Sequence, residues 1–176
     1  MDGKRYQFWI PGPPEGKKAV VTFIDSATGK RRGANPTRSY MKRCAAYALA
    51  NMPMAKVFDC PVLFELLVVI ERPKRLLPKH WPECGPAELC ADYESALWCD
   101  EKPDGSNVRK GVEDAFKAHW KDDCRVVCGD TRKIYAEAGW EPGVLVTFQA
   151  LGRNCPQELI ETVRPYSAPR QTRRPR

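Results

Sequence analysis

The chain has 176 residues, 43% hydrophobic and 29% charged, which excludes an intrinsically disordered chain and suits one domain with its own core. The formal charge of +7 points to an anionic partner such as nucleic acid, although many basic soluble proteins bind nothing acidic. The opening MDGKRYQFWI lacks the apolar core of a signal peptide, and the longest apolar run, Cys44–Ala50, is too short to cross a bilayer. A cytoplasmic location, reduced cysteines and no membrane partner are therefore expected.

Tyr6, Phe8 and Ile10 alternate with Arg5, Gln7 and Trp9 and predict a first strand, ended by Pro11-Gly12-Pro13-Pro14. Ala19–Ile24 predicts a second strand, closed by the polar turn Asp25–Lys30, and Lys30-Arg31-Arg32 forms a compact basic cluster. Asn35-Pro36 predicts a helix start, with asparagine as the cap and proline in the first turn. That helix should run to about Asn51 and carry Tyr40, Met41, Cys44, Ala45 and Ala48 on one face. Val62–Ile70, apolar except for Glu65, predicts a strand buried on both faces.

Residues 73–100 read as a long irregular segment. A helix over about 106–116 follows, then strands at about 124–128, 132–138 and 143–149, with a Gly129-Asp130 turn between the first two. Cys124 and Cys128, four apart on the expected strand, should face the core together. Arg164–Arg176 holds five arginines and three prolines. It should be a disordered basic tail, which either adds non-specific DNA affinity or is an inert terminus. The eight cysteines include no C-x-x-C pair. His80, Cys84, Cys90 and Cys99 share one loop-like region and could supply four zinc ligands, but their spacing matches no standard module; ordinary buried thiols are the plainer reading.

The densest pattern is at 102–127. Pro103-Asp104-Gly105-Ser106-Asn107 is rich in turn formers, and the helix that follows is two-sided. Stepping 100° per residue puts Val108, Val112, Ala115 and Phe116 on a buried face and Asn107, Lys110, Gly111 and Asp114 nearly opposite. Eleven helical residues climb about 16 Å. The seven residues Lys117–Asp123, if extended, span about 23 Å. Asp122-Asp123 can therefore return to the helix start beside Asp104. Carboxylates meeting there without histidine or cysteine suit a hard cation such as Mg²⁺, and a helix N-terminus with Lys110 suits a phosphate. Together they suit metal-assisted phosphodiester hydrolysis. The other reading of the same spacing is a capping Asp104 and an exposed Asp122-Asp123 turn, with Ser106 as a good helix N-cap.

The chain resembles the RusA family of Holliday-junction resolvases. The family pattern is Lys-Pro-Asp-x-Asp-Asn-x-x-Lys, then Asp-x-(Leu/Phe), then Lys-Asp-Asp-x-x-Val. Here stand Lys102-Pro103-Asp104-Gly105-Ser106-Asn107-Val108-Arg109-Lys110, then Asp114-Ala115-Phe116, then Lys121-Asp122-Asp123-Cys124-Arg125-Val126. Ile10-Pro11-Gly12-Pro13-Pro14 and Arg72-Pro73-Lys74 resemble the family as well, over about residues 5–150.

The resemblance implies a mixed α/β (α+β) fold: a single nuclease domain over 1–155 with a central mixed sheet and two main helices, followed by the basic tail 156–176. It implies cleavage of branched DNA, four-way junctions above all, by a homodimer using Mg²⁺ or Mn²⁺. Asp104 and Asp123 are the implied metal ligands, Asp122 a weaker one, and Lys110 the catalytic lysine. Asn107 should order the turn. Asn107, Lys102, Lys17, Lys18, Lys30, Arg31, Arg32 and Arg38 are candidates for DNA contact. One position departs from the pattern: Ser106 stands where the family has its second acid. Glu113 and Asp114 are the nearby acids that could replace it, although Asp114 reads better as structural. The alternative function is a branched-DNA binder that cuts weakly or not at all, and a third is a zinc-stabilised adaptor.

Overall fold

The computed structural model describes residues 4–19, 21–52, 58–79, 81–83, 92–152, 154 and 156–158. The elements follow in the order β1 (Arg5–Pro11), β2 (Val21–Ile24), β3 (Arg31–Ala34), α1 (Arg38–Asn51), β4 (Val62–Ile70), α2 (Gly105–Ala115), β5 (Val126–Cys128), β6 (Thr131–Tyr135) and β7 (Gly143–Ala150). β7 lies between β1 and β4 and is antiparallel to both. β5 and then β6 run parallel to β4 along its other edge. Between them Gly129 has φ +119°, and a Cβ there would lie 2.1 Å from the Phe64 carbonyl oxygen, so the switch needs glycine. The mixed sheet with two helices is the expected fold.

Alternation decides which face is covered. Phe8 and Ile10 of β1, Val62, Phe64, Leu66 and Val68 of β4, and Val144, Val146 and Phe148 of β7 are buried. They pack with Tyr40, Cys44 and Ala48 of α1 and with Val108 and Val112 of α2. Burying each such valine or phenylalanine is worth about 1.5–3 kcal/mol. Burial also pushes the Cys44 thiol up to about 11, so it packs as a neutral group. β4 is not buried on both faces as its composition suggested. Leu63, Glu65 and Leu67 point the other way and are half-buried, because both helices lie on one side of the sheet.

Other departures have local causes. Asn35 does not cap α1: its Oδ1 accepts from the Thr37 N–H at 3.0 Å and the Thr37 hydroxyl at 2.8 Å, closing a turn, so the helix starts at Arg38. Lys30-Arg31-Arg32 is more than a basic cluster, since Arg31–Ala34 pairs with β2 as a strand. Cys124 and Cys128 are both exposed rather than in the core. Cys124 lies in a 3₁₀ turn, Asp123–Arg125, and β5 covers only three residues, so four-residue spacing on one strand does not apply. Arg72 is buried and structural: its Nε donates to the Ala136 carbonyl at 2.9 Å and it pairs with Glu137 at 3.4 Å.

His80, Cys84, Cys90 and Arg164–Arg176 lie outside the described residues; of the four candidate zinc ligands only Cys99, a buried free thiol, lies within them. Among the described residues no helix is long and apolar enough to cross a membrane.

Candidate active site

Three segments meet on the exposed side of α2. The first is the stretch after β1. The Lys17 N–H donates to the Asn107 carbonyl at 2.9 Å, which lays this stretch across the helix. It packs over Gly111, where a Cβ would be in ordinary contact, 3.6 Å from the Glu15 carbonyl oxygen. Gly111 is therefore buried beneath a crossing strand of backbone, not part of an open chemical face.

The second segment is the start of α2. Asp104 occupies the cap position but makes no side-chain cap bond. Its Oδ2 accepts instead from the Asn107 side-chain amide at 3.3 Å. The carboxylate is exposed and lines a cleft of about 450 Å³ together with Lys17, Lys18 and Lys102. Ser106 is the second residue inside the helix, not its cap, and it too is exposed.

The third segment follows α2. It does not extend back to the helix start. The His119 N–H donates to the Phe116 carbonyl at 2.8 Å, continuing the turns, and Trp120 then bridges to Phe58. Trp120 also stacks on Phe148 at 6.0 Å. So anchored, the chain brings Asp123 to the middle and end of α2. Its Oδ2 lies 3.8 Å from Lys110 Nζ and 3.5 Å from Lys117 Nζ. Asp122 is a cap: its side chain accepts from the Cys124 N–H at 3.3 Å. Asp122 and Asp123 line a second hollow, with Lys117, Trp120 and Lys121.

Asp114 links the two hollows. Its side chain is only 5% exposed and meets Lys17, Lys117 at 3.1 Å and Lys110 at 3.8 Å. Burial works to raise this carboxyl, but hydrogen bonds from Lys17 and Lys117, and their charges, hold it below the ordinary aspartate value. The hydrogen bond from Asp114, its charge and that of Asp123 raise the Lys117 ammonium in turn. Asp114 is thus a buried hub that positions three ammonium groups. Glu113 faces elsewhere: it holds Arg109 at 2.7 Å, and Arg109 donates to the Gly129 carbonyl at 2.6 Å, tying α2 to the strand switch.

The structure therefore joins Asp104 to Asn107, and Asp123 to Lys110. It does not gather the three acids, and among the described residues no three His, Cys, Asp or Glu side chains form a cation cage. Lys30, Arg31 and Arg32 lie on the β2–β3 hairpin, and Arg38 opens α1. Two contributors were missed. Lys117 had a readable signal, since 110, 114 and 117 follow helical spacing. Asp59 had none: its partners Lys121, at 3.2 Å, and Arg125 are more than sixty residues away.

A mixed α/β domain that presents carboxylates and ammonium groups along one helix face has the make-up of a phosphodiester-processing protein. The profile of the RusA endodeoxyribonuclease family matches residues 11–148, and the chain belongs to that family. Membership implies a Holliday-junction endonuclease, an activity of DNA recombination. A comparison with curated proteins found no match.

Proposed function

We propose that the protein is a structure-selective endonuclease that cleaves four-way DNA junctions with Mg²⁺ or Mn²⁺, using Asp104 and Asp123 as cation ligands. The observation that carries this reading is Asp104: it stands at a helix cap, makes no cap bond and presents an exposed carboxylate to a lysine-walled cleft. The donor set fits a hard cation. Magnesium commonly takes one or two carboxylates and completes its shell with substrate phosphate and water, so a preformed cage is not required. A bound divalent cation would supply Lewis-acid polarisation of the scissile phosphate.

The chain's own residues do the rest. Lys17, Lys18 and Lys102 attract the DNA backbone to the cleft. Asn107 orients the Asp104 carboxylate through its amide. Lys110, steered by Asp114, places its ammonium where charge grows on the phosphate oxygens. Lys117 keeps Asp123 on the same face. Asp122 serves mainly as a cap and contributes charge.

A homodimer suits a two-fold symmetric junction, which needs two symmetric nicks. The outer sheet face supports it. Trp9, Leu67 and Leu145 line an apolar hollow there beside Trp140, which is 60% exposed, and no helix of the described residues covers them.

A second reading, binding without efficient cutting, is favoured by one observation. Ser106 is exposed beside Asp104 where the family has an acid, and the nearby acids Glu113 and Asp114 are already held by Arg109 and the lysines. A labelled four-way junction, incubated with and without Mg²⁺, separates the two. Paired symmetric nicks that require the cation support the endonuclease; a tight complex with no nicks at any Mg²⁺ or Mn²⁺ concentration supports the binder.

A further inference from the structure

We propose that the β2–β3 hairpin is a wedge that inserts Phe23 and Ile24 among the unstacked bases at the branch point of a DNA junction, with Arg31 and Arg32 on the flanking phosphates. Every strand residue of the hairpin is exposed, so neither face has a core behind it. Val21, Phe23 and Ile24 are 57%, 48% and 72% exposed, three apolar side chains on a strand of four. A free two-stranded hairpin is marginal in water, and a run of apolar groups left in solvent marks a surface that something else covers.

The strand register identifies the cover. Phe23 stands opposite Arg32, and Ile24 opposite Arg31. Directly paired residues share a face, so each face carries an apolar side chain beside a guanidinium. Covering either face with protein would strip water from an arginine. DNA meets both needs: unstacked bases accept an apolar or aromatic side chain, and phosphates accept the guanidinium.

The hairpin is also held in shape. Asp25 Oδ1 accepts from the N–H groups of Ala27 and Thr28 at 3.0 Å each, and Gly29 takes φ +65°. Asp25 pairs with Arg32 at 2.8 Å, and Arg31 donates to the Thr22 hydroxyl at 3.3 Å. Lys30 adds a third cation against the single acid Asp25. The segment that leads into β2 carries Lys17 and Lys18, which line the same cleft as Asp104. The ribbon thus prolongs the basic side of the candidate site.

The inference rests on the reading that the protein binds branched DNA, and the experiment tells the two apart. The full chain is bound, in chelator, to a four-way junction carrying 2-aminopurine at the branch point, and to linear duplex of the same sequence. Wild type should raise the 2-aminopurine fluorescence on binding. F23A/I24A should lose the rise and bind the junction about tenfold more weakly, as loss of base stacking does, with less than a twofold change on duplex. F23W, which keeps an aromatic ring, should retain the rise, and the near-unchanged duplex binding of F23A/I24A separates loss of the wedge from loss of the hairpin. If wild type binds no junction, both the endonuclease reading and the wedge fall. If wild type binds it and F23A/I24A gives the same rise and affinity, the wedge alone is overturned. A change in oligomeric mass in F23A/I24A would also overturn it, since the hairpin would then be an interface between copies.

Discussion

Two aspartates stand at cap positions in this protein and meet different fates. Asp122 opens the 123–125 turn and spends its carboxylate on the Cys124 N–H. Asp104 opens α2 and makes no side-chain cap bond; Asn107 holds it instead. An acid at the start of a helix is ordinarily explained by capping. Here the position is the same and the partner differs, so the partner, not the position, separates a structural acid from a candidate ligand.

The sharpest break of this comparison is loss of cleavage. D104N and D123N should each reduce junction cleavage at least about a hundredfold, the scale of removing one electrostatic group from a reaction centre. Binding in chelator should hold or tighten, since less negative charge faces the phosphates. D122N should retain most activity, because asparagine caps as well as aspartate. Wild-type rates in both D104N and D123N would mean that the site lies elsewhere.

Ser106 gives a smaller effect of opposite sign. S106D adds a carboxylate beside Asp104 in the first turn of α2, where negative charge also suits the helix dipole. Cleavage should rise about tenfold at low metal, with the half-saturating Mg²⁺ concentration lowered, the order by which a group near a metal shifts affinity. The wild type should favour Mn²⁺ over Mg²⁺. A flat response in a metal titration of S106D would show that the missing acid limits nothing.

The smallest effect is on stability. D122A should cost about 1 kcal/mol, the usual worth of a cap bond, while D104A should cost only a few tenths, having no such bond to lose. Urea unfolding of the two variants gives the comparison directly. Equal losses would erase the distinction between the two aspartates.

Much of this arrangement was legible in the chain. β1 follows from its period-2 alternation, β4 from its apolar run, and the two faces of α2 from 100° steps, because such patterns record how a segment meets the core. The path of residues 117–125 was not legible. It depends on Trp120 meeting Phe58 and on Asp59 gripping Lys121 and Arg125 from across the fold, contacts with no local trace. The extended return to Asp104 was geometrically allowed but lost to turns that continue past Phe116. β3 was hidden by its composition, since a strand reading RRGA with no buried side has no hydrophobic period to show. Ser106 looked like a cap because serine caps well; the helix simply begins one residue before it.

On the proposed reading, Asp104 and Asp123 hold a divalent cation whose shell DNA phosphate completes. Electron paramagnetic resonance of Mn²⁺ tests it most directly, comparing protein alone, junction alone and the complex. A Mn²⁺ site should form tightly only in the complex, be lost in D104N and in D123N, and persist in D122N. Equal Mn²⁺ binding by wild type, D104N and D123N in the complex would contradict it.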